Sequence, residues 1–567
     1  MDRVTVAATL REIAQLVRLG RGDPFRAGAF ERGARVVETL AVDLAELARE
    51  GRLTELPGIG PALARTIREL LETGQSQFLA ELRAQLPPGA MELAQVVNLP
   101  RMTLLHDALG VRSLADLEAA CAAGRVRTVK GFGAKTERRL LEAIRSLSHR
   151  EDELHLHEAT AAAESLLAYV RAHPAVAEAD VAGDLRRRRE TVSRLDVVVA
   201  SRDTRAVVEH VVRYPLVASV LAQGVSDARV RLAGGVAVSV RVARPRAFPW
   251  AVLRATGSAA HLARLEERAR AAGIVFRADS PSRAGRPLPV RSEGDAYRHL
   301  GLPWIPPELR EDAGEIEAAA AGELDAPLVT LADIQGSVHC HTDYSDGQHS
   351  VEEMARGAEA RGMRYVTITD HSPSAFYAGG VGLDRLARQW EEIARVQARV
   401  GIRLLRGTEC DILRDGALDY PDSVLEQLDI VIASVHQRHR MTAEQMTERL
   451  LTAMRHPRFK VWGHALGRYL LSRPPIACDV ERVLDAATES RVAIEINGDP
   501  YRLDMEPRWI REARRRGLRF VISSDAHSVA ALDNVRWGVD MARRGWVRPG
   551  EVLNTLGPAE FRAAVRP

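Results

Sequence analysis

The sequence has few cysteines, no long apolar run and no large excess of charge. Only four cysteines occur among 567 residues, and Cys121, Cys340, Cys410 and Cys478 form no CxxC pair. This argues against a disulfide framework or a zinc knuckle and favours reduced, buried thiols in a cytoplasmic protein. No apolar run approaches the ~18 residues needed to cross a bilayer. The charged amino terminus lacks the apolar core of a signal peptide, so we expect no membrane association.

The balance of charge also limits what can be inferred about partners. Lysine and arginine total 79 against 76 acidic residues, so a polyanionic partner could be recognised only through local patches. Hydrophobic residues make up 46% of the chain, which is ordinary for a globular protein. At roughly 150 residues per domain, the length predicts about four domains.

The pattern of apolar residues changes along the chain. Residues 1 to about 148 have the periodicity of short amphipathic helices separated by glycine turns. Strands are first predicted between about 155 and 245, in EADVAGDL, RLDVVVAS, ARVRLAG and VAVSVRVA. Helical character returns from about 246 to 315, and an acidic, alanine-rich connector precedes a boundary near residue 330. Beyond it, seven apolar runs alternate with helical stretches. This predicts parallel strands with crossover helices, in an α/β barrel or an open sheet.

The seven apolar runs all end in polar residues. They are SVHCH, YVTITDH, RLLRGTE, IVIASVH, KVWGH, VAIEIN and FVISSDAH. In a barrel of parallel strands these ends share the face on which active sites are built. Any one of them is more often a helix cap or a partner of a loop carbonyl. Buried together, however, they would carry a heavy desolvation cost that bound divalent cations would remove.

The candidate ligands are six histidines and three carboxylates, a donor set typical of Zn or Mn sites. His339 and His341 lie two residues apart, as do Asp525 and His527, so each pair points to one face of its strand. The residues between them, such as Cys340, are interpreted as core. Nine donors are too many for one ion and suit two or three. The set is His339, His341, Asp346, His371, Glu409, His436, His464, Asp525 and His527.

From about Gly336 to the C terminus, the chain resembles the PHP (polymerase and histidinol phosphatase) superfamily. The motifs HCHTDYSDG, TDHS, GTECDI, SVH, GHALGR, EINGDPYRLD and SDAH all occur in the order that this superfamily has. The resemblance implies a distorted (β/α)7 barrel whose centre of three divalent metals, Mn or Zn alone or mixed with Fe, hydrolyses phosphoesters. All nine candidate ligands fall on matching positions. Ser337 stands where relatives usually carry aspartate.

Such a centre gives several residues expected roles. Metals ~3.5–4 Å apart can deprotonate a bridging water and hold both the attacking and the leaving oxygen of a phosphoester. Glu409, Asp525 and His341 are the candidate catalytic residues, and Glu409 is also interpreted as a bridging ligand. Asp370 is expected to orient a ligand histidine. Arg468 is a candidate for holding a substrate phosphate, although a surface role explains it equally well.

Two segments in the first third of the chain place Gly-x-Gly between helical stretches. In LTELPGIGPALARTI and VRTVKGFGAKTERRL the glycines open a second helix, where backbone N–H groups can contact a phosphate. Both resemble the helix-hairpin-helix motif. A third candidate, VVNLPRMTLLHDALGV, lacks the glycines and is interpreted as scaffold. The resemblance implies DNA contacts by Gly58, Ile59, Gly60, Gly131, Phe132, Gly133 and Lys135.

With these hairpins, other segments make nearly the whole chain resemble the bacterial family X DNA polymerases. The segments are GDPFRAGAFERGARVVETL, VAGDLRRRRETVSRLDVVVAS, RATGSAAHLARL and HLGLPWIPPELREDAGEIEAA. The predicted fold is therefore multidomain: helical N-terminal regions, an α/β nucleotidyltransferase palm with a thumb, and a PHP barrel. The implied domains are N-terminal helical 1–85, fingers-like 86–148, palm 149–245, thumb-like 246–315, linker 316–335 and PHP 336–567.

The predicted palm departs from the family pattern. Three carboxylates that hold two Mg ions would fall on Arg194, Asp196 and Ser239, so only one of the three remains. Arg194 also puts a fixed cation where a metal should bind. Asp184 replaces an expected serine, and Ala259 replaces a usual lysine. We therefore expect a folded palm that is inactive as a polymerase.

The leading hypothesis is a DNA-repair nuclease that acts as a monomer. The resemblance implies a Mn-dependent 3′–5′ exonuclease that removes 3′ nucleotides or trims blocked 3′ ends at gaps or nicks. Lyase chemistry is not expected, because Thr66 lies where the family has its Schiff-base lysine. The alternatives are a gap-filling DNA polymerase, a non-catalytic DNA-binding scaffold and a small-molecule phosphatase. The hairpins argue against the phosphatase, because a small substrate does not need them.

Overall fold

The computed structural model describes residues 3–20, 24–39, 44–56, 59–84, 86, 89–94, 96–150, 153–437 and 441–565. The chain divides into two compact units, Met1–Glu151 and Asp152–Pro567. Within those ranges, no helix combines the length and the apolar character that spanning a bilayer would require.

The first unit is helical, and its described residues contain no strand, as the sequence predicted. Helix boundaries follow local chemistry. For example, Pro61 occupies the first turn of one helix, and Gly74, with φ of 72°, ends it in the left-handed conformation. The helices are α1 (Arg3–Leu19), α2 (Pro24–Thr39), α3 (Leu44–Arg49), α4 (Pro61–Thr73), α5 (Gln77–Ala84), α6 (Ala90–Leu93), α7 (Leu99–Leu109), α8 (Leu114–Ala122) and α9 (Ala134–Arg150).

The second unit begins with an α/β region. Its elements are β1 (Leu154–His155), α10 (Leu156–Arg171), β2 (Val176–Ala182), α11 (Gly183–Arg186), β3 (Thr191–Val192), β4 (Arg194–Ser201), α12 (Thr204–Val212), β5 (Val217–Gln223), β6 (Asp227–Leu232) and β7 (Ala237–Ala243). Five strands form one sheet in the order β2-β4-β7-β6-β5, while β1 pairs with β3. β4 and β7 are parallel, and Asp196 on β4 lies in register with Ser239 on β7. The sheet therefore brings these two predicted positions side by side.

A smaller helical region follows, with one three-stranded antiparallel sheet. Part of the segment predicted as a linker is helical here, because buried Glu315 lies 2.5 Å from buried His261 and packs the segment against this region. The elements are α13 (Phe248–Thr256), α14 (Ala259–Ala271), β8 (Ile274–Phe276), β9 (Pro281–Arg283), β10 (Arg286–Pro287), α15 (Glu293–His299) and α16 (Glu315–Ala320).

Seven parallel strands then form a barrel in chain order, with crossover helices between most neighbours. Each of the seven predicted apolar runs supplies one strand. The elements are β11 (Gly336–Ser337), α17 (Val351–Ala360), β12 (Tyr365–Ile368), α18 (Leu383–Gln397), β13 (Arg403–Asp411), α19 (Asp422–Leu425), β14 (Ile430–Ser434), α20 (Ala443–Met454), β15 (Val461–Trp462), α21 (Val480–Ser490), β16 (Ala493–Asn497), α22 (Pro507–Arg515), β17 (Phe520–Ser523), α23 (Val535–Arg544) and α24 (Pro558–Val565).

The barrel is nearly closed, and its two ends differ. A parallel bridge between Cys340 and Ala526 joins the residues that follow its first and last strands. Phe561 of the C-terminal helix α24 stacks on Tyr365 within an apolar cluster that fills the barrel interior. Since packed side chains occupy the interior, the carboxyl ends of the strands are left to build a site.

Candidate metal centre and nucleic-acid contacts

All nine predicted ligands meet at the carboxyl end of the barrel. Glu409 belongs to β13 itself, seven others follow their strands within four residues, and Asp346 lies in the longer loop after β11, so all nine lie where a parallel barrel directs side chains toward one face. Each of the nine lies within 4 Å of at least one other member, and the members are His339, His341, Asp346, His371, Glu409, His436, His464, Asp525 and His527.

Glu409 lies at the middle of this cluster and is 1% exposed. One of its oxygens lies 3.3 Å from His339 Nε2 and 3.0 Å from His371 Nδ1. The other oxygen lies 3.0 Å from His436 Nε2 and 2.6 Å from His464 Nε2. Burial alone would raise the pKa of Glu409, but the imidazoles, His436 foremost, hold it well below its usual range. A carboxylate whose two oxygens face different imidazoles has the geometry of a bridging ligand.

The donor atoms fall into three overlapping groups that are each small enough to surround one ion. Within each group the donor atoms lie within 4.8 Å of one another. The groups share His341, His371 and Glu409, and of these the Glu409 carboxylate could bind two ions through its two oxygens. The three groups are His341, Asp346, His371 and His527; His339, His341 and Glu409; and His371, Glu409 and His436.

The hydrogen bonding of the cluster fits bound cations. Buried imidazole nitrogens of His339, His341, His371 and His464 have no hydrogen-bond partner. Leaving a buried polar atom unpaired costs ~1–3 kcal/mol, so several such atoms aimed at one point are unfavourable without a ligand. Divalent ions would accept these lone pairs, and imidazole with carboxylate is the donor set of Zn and Mn.

Two of the candidate ligands have strained backbones. His464 has φ of 24° and Asp525 has φ of 50°, both in the left-handed region. Such conformations cost on the order of 1–3 kcal/mol for residues other than glycine, and they concentrate at functional sites. The strain is therefore consistent with residues placed for chemistry.

Two carboxylates that the sequence did not single out hold ligand rings in place. Glu495 lies 2.6 Å from His339 Nδ1, and Asp411 contacts His436 Nδ1. Ser523 donates a hydrogen bond of 2.7 Å to Glu495. A carboxylate on the second nitrogen fixes the ring's tautomer and directs the first nitrogen to the metal. The signal for Glu495 was available, because it is the one acid inside the buried strand β16.

Asp370 does not hold a ligand histidine by a hydrogen bond, contrary to the expectation. Its oxygens accept hydrogen bonds from the Thr342 N–H at 2.8 Å, from the Thr342 hydroxyl at 2.6 Å and from Gln389 at 2.7 Å, with Ser345 as a further donor. Asp370 therefore organises the loop that leads to the candidate ligand Asp346.

The structure does not bring Arg468 into contact with the cluster. Its guanidinium is buried and donates to the carbonyls of Arg502 and Leu503, and it lies 3.5 Å from Glu190. Arg502 faces the centre instead: its Nε lies 3.7 Å from Asp525 and has no hydrogen-bond partner. Arg468 thus stabilises the main chain at Arg502, the arginine whose side chain faces the cluster.

The two hairpins have similar geometry where both are described. A 3₁₀ turn, Leu53–Glu55 or Val126–Thr128, precedes each loop. The buried side chains of Ile59 and Phe132 fix the loops to the core, and their N–H groups each donate to a carbonyl three residues back at 3.0 Å. Gly58 lies outside the described residues.

The remaining hairpin glycines leave their backbones accessible. A Cβ at Gly60, Gly131 or Gly133 would meet no atom within 4 Å, so another molecule can approach the main chain there. Gly131 has φ of 92°, which favours glycine. Lys135 lies exposed in the first turn of α9. This arrangement suits contact with a phosphate backbone.

The palm region brings Arg194, Asp196 and Ser239 together, but as an ion pair beside a hydroxyl and not as a set of carboxylates. Arg194 donates to both oxygens of Asp196, at 2.9 and 3.1 Å, and Ser239 lies opposite Asp196 on β7. Burial raises the pKa of the Asp196 carboxyl although Arg194 pairs with it. These residues line an open cavity of about 550 Å³ that Asp184 and Ala259 also line. The carboxylate is thus already neutralised by a fixed cation, so the palm residues do not fit a pair of Mg ions.

Thr66, at the position of the lyase nucleophile, is buried in α4. Its hydroxyl donates to the Ala62 carbonyl one turn earlier at 3.3 Å. It supplies no amine.

Comparison with family models matches four parts of the chain. Residues 1–76 match a helix-hairpin-helix domain, and residues 101–146 match a SAM-like helix-hairpin-helix tandem. Residues 251–311 match the DNA polymerase beta thumb, and residues 337–498 match the PHP domain. These matches confirm the predicted fold class of helical hairpin regions, thumb and PHP barrel.

Several curated proteins are also similar. DNA polymerase/3′-5′ exonuclease PolX of Bacillus subtilis (strain 168) is 32% identical over 573 residues, which covers 100% of both chains. A protein of Acetivibrio thermocellus named as a probable phosphatase is 32% identical over 33% of this chain and 78% of its own. Another probable phosphatase, from Thermoanaerobacter sp. (strain X514), is 28% identical over 38% of this chain and 89% of its own. Because the first relative matches from end to end and the thumb and PHP domains are both present, the chain belongs to the family X DNA polymerases that carry a C-terminal PHP domain.

Proposed function

We propose that the PHP barrel carries a metal-dependent 3′–5′ exonuclease that trims DNA ends during repair. The observation that carries the proposal is the position of Glu409, which is buried among four imidazoles; the nitrogens of His339 and His371 that face it have no hydrogen-bond partner. The end-to-end similarity to a protein named as a polymerase and 3′-5′ exonuclease supports the same activity. We further propose that the protein acts as a monomer at gaps or nicks.

We propose three ions of Mn or Zn, alone or mixed with Fe, because three donor groups overlap in the cluster. When bound, the ions would supply a water nucleophile at neutral pH and offset charge on the phosphoester. Glu409, Asp525 and His341 would hold them close to the reacting atoms. Glu495 and Asp411 keep the histidine rings directed inward.

Arg502 is the residue best placed to hold the scissile phosphate. One face of its guanidinium is covered by an aromatic ring, since the guanidinium lies 4.3 Å from the Tyr469 ring centroid. A guanidinium forms a planar fork of donors that matches phosphate oxygens and remains charged at every working pH. Its unpartnered Nε supports this role over the one expected for Arg468.

We propose that the palm no longer polymerises. Arg194 occupies both oxygens of the one remaining carboxylate, so metal binding would first require breaking a two-point ion pair. DNA would instead be held by the hairpins through Gly58, Ile59, Gly60, Gly131, Phe132, Gly133 and Lys135.

A second candidate is release of phosphate from monoesters. The similarity of the barrel alone to proteins named as probable phosphatases favours it. One assay separates the candidates: a 5′-labelled oligonucleotide is incubated with Mn, with its 3′ end either free or phosphorylated. An exonuclease shortens the free end by single nucleotides, whereas a phosphatase removes only the terminal phosphate. Retention of both ends intact in every divalent metal would refute both.

A further inference from the structure

Two large aromatic side chains lie exposed beside the metal centre. Phe376 is 79% exposed and Tyr377 is 57% exposed, although the flanking Ala375 and Ala378 are buried. They form the 3₁₀ turn Phe376–Ala378 in the loop between β12 and α18. Exposing two neighbouring aromatic rings forgoes burial of a large apolar area, so such a patch commonly marks a binding surface.

The loop that carries the pair is held firmly by the residues around it. Ser374 donates from its hydroxyl to Asp411 at 2.6 Å and from its N–H to Asp419 at 2.7 Å. A side chain at Gly380 would collide with the Ser372 carbonyl, so the turn packs closely on the chain that follows β12. The rings are therefore exposed on a fixed support and do not need to be ordered by a ligand.

The pair also adjoins the reacting centre. The Tyr377 ring centroid lies 6.3 Å from that of His371 and 6.3 Å from that of His436. Phe376 lies beyond it, with a centroid distance of 6.0 Å and an interplanar angle of 78°. The Tyr377 ring therefore borders the site at which a phosphoester would be held, and Phe376 extends the aromatic surface away from it.

We propose that Phe376 and Tyr377 form a platform on which the base of the terminal nucleotide stacks, which makes them specificity-determining residues of the barrel. This inference rests on the proposed exonuclease function. Every base has a π-face that can lie on an aromatic ring, so stacking gives affinity without sequence preference. A base that remains paired and stacked in a duplex cannot occupy the platform, whereas an unpaired one can.

The test compares two single-stranded oligonucleotides of the same sequence, one ordinary and one whose 3′-terminal nucleotides lack bases. The measured quantity is the ratio of kcat/KM for the ordinary strand to kcat/KM for the abasic strand, with Mn present. Base–aromatic stacking is worth ~1–3 kcal/mol per base. The double variant Phe376→Ala/Tyr377→Ala should therefore lower this ratio about 5- to 150-fold.

Two further variants make the result specific. Tyr377→Phe keeps the ring and should keep the ratio. Leu331→Ala removes a comparably exposed apolar side chain (51% exposed) before the first barrel strand, at the end opposite the metals, and should leave the ratio unchanged. Wild-type protein should also degrade a single-stranded end faster than a blunt duplex end.

The outcomes distinguish this inference from the proposed function. An unchanged ratio in the double variant, or an equal loss on both strands, would overturn the platform and leave a protein-binding role for the rings. If wild-type protein degrades neither strand in any divalent metal, the exonuclease itself fails.

Discussion

In the PHP centre and in the palm cavity, an acidic side chain projects from a strand that pairs with a parallel neighbour. The two regions differ in the basic side chains that face this carboxylate. In the barrel, Glu409 faces imidazoles on both of its oxygens. In the palm, Asp196 faces the guanidinium of Arg194 on both of its oxygens. An imidazole can lose its proton and bind a metal, whereas a guanidinium stays charged and cannot. Whether an acidic side chain can bind a metal therefore depends on which cationic group faces it, and not on the acid alone.

The largest effect on activity is expected from removing the carboxylate at the middle of the barrel cluster. Glu409→Gln keeps the size of the side chain but removes the bridging charge. We expect exonuclease activity with Mn to fall by at least about 10³-fold, because metal positioning contributes several kcal/mol to such reactions. Shortening of a 5′-labelled oligonucleotide measures this. The control Asp533→Asn changes a 59% exposed carboxylate that is paired with Arg361 and should stay active.

The gain in thermal stability on adding Mn should depend on the barrel cluster and not on the palm. Protein treated with a chelator should gain thermal stability when Mn is added, by about 2.7 kcal/mol at 100 times Kd. Glu409→Gln should lose most of this gain, because it removes a shared ligand. Asp196→Asn should keep it, because Arg194 already occupies that carboxylate. A scanning calorimeter measures the shift, and an equal gain in both variants would contradict the assignment of the site.

The proposed inability of the palm to bind Mg can be tested by restoring the missing carboxylates. Arg194→Asp combined with Ser239→Asp would return three carboxylates to neighbouring positions on β4 and β7. We expect Mg to tighten nucleotide binding by at least about tenfold in this variant, since carboxylates can then hold the ions. Titration calorimetry in a Glu409→Gln background avoids hydrolysis.

Two controls make that gain interpretable. Arg194→Ala removes the cation but leaves one carboxylate, so Mg should have little effect on it. In wild-type protein, Mg should not change nucleotide binding. Mg-dependent nucleotide binding or primer extension by the wild type would instead show that the palm retains activity.

The smallest expected effect concerns which region holds DNA. Lys135→Ala should weaken binding of a gapped duplex several-fold and reduce the salt dependence by about one counterion, because one phosphate contact is lost. Lys460→Ala is a charge-matched control at the amino end of β15, away from the metal end of the barrel. Fluorescence anisotropy at several salt concentrations compares them. Equal weakening by both would argue against the hairpin contact.

The sequence predicted the barrel well because its strands alternate regularly with helices and end in metal-binding residue types. The same pattern predicted that all nine candidate ligands lie close together at one end of the barrel, as the structure has them. Asp411 was missed because an acid within a strand has no spacing that reveals its partner. Glu495 was missed although its position as the one acid inside a buried strand indicates that it needs a partner. The edge strand β5 was missed for a related reason: most of its residues are exposed, so burial imposes no clear alternation.

Long-range contacts account for the other differences. Arg468 follows His464 closely in the sequence, yet its guanidinium turns to Glu190, 278 residues away, and to the carbonyls of Arg502 and Leu503. Arg502 reaches the cluster only because its loop is held there. Neither orientation has a local sequence signal. The palm pairing of Arg194 with Asp196 was foreseeable, because residues two apart on one strand share a face.

Anomalous diffraction from crystals soaked in Mn tests the central claim most directly. We expect three peaks among the nine barrel residues, with Glu409 between neighbouring peaks, and no peak beside Asp196. An empty barrel cluster, or a peak in the palm cavity in its place, would contradict it.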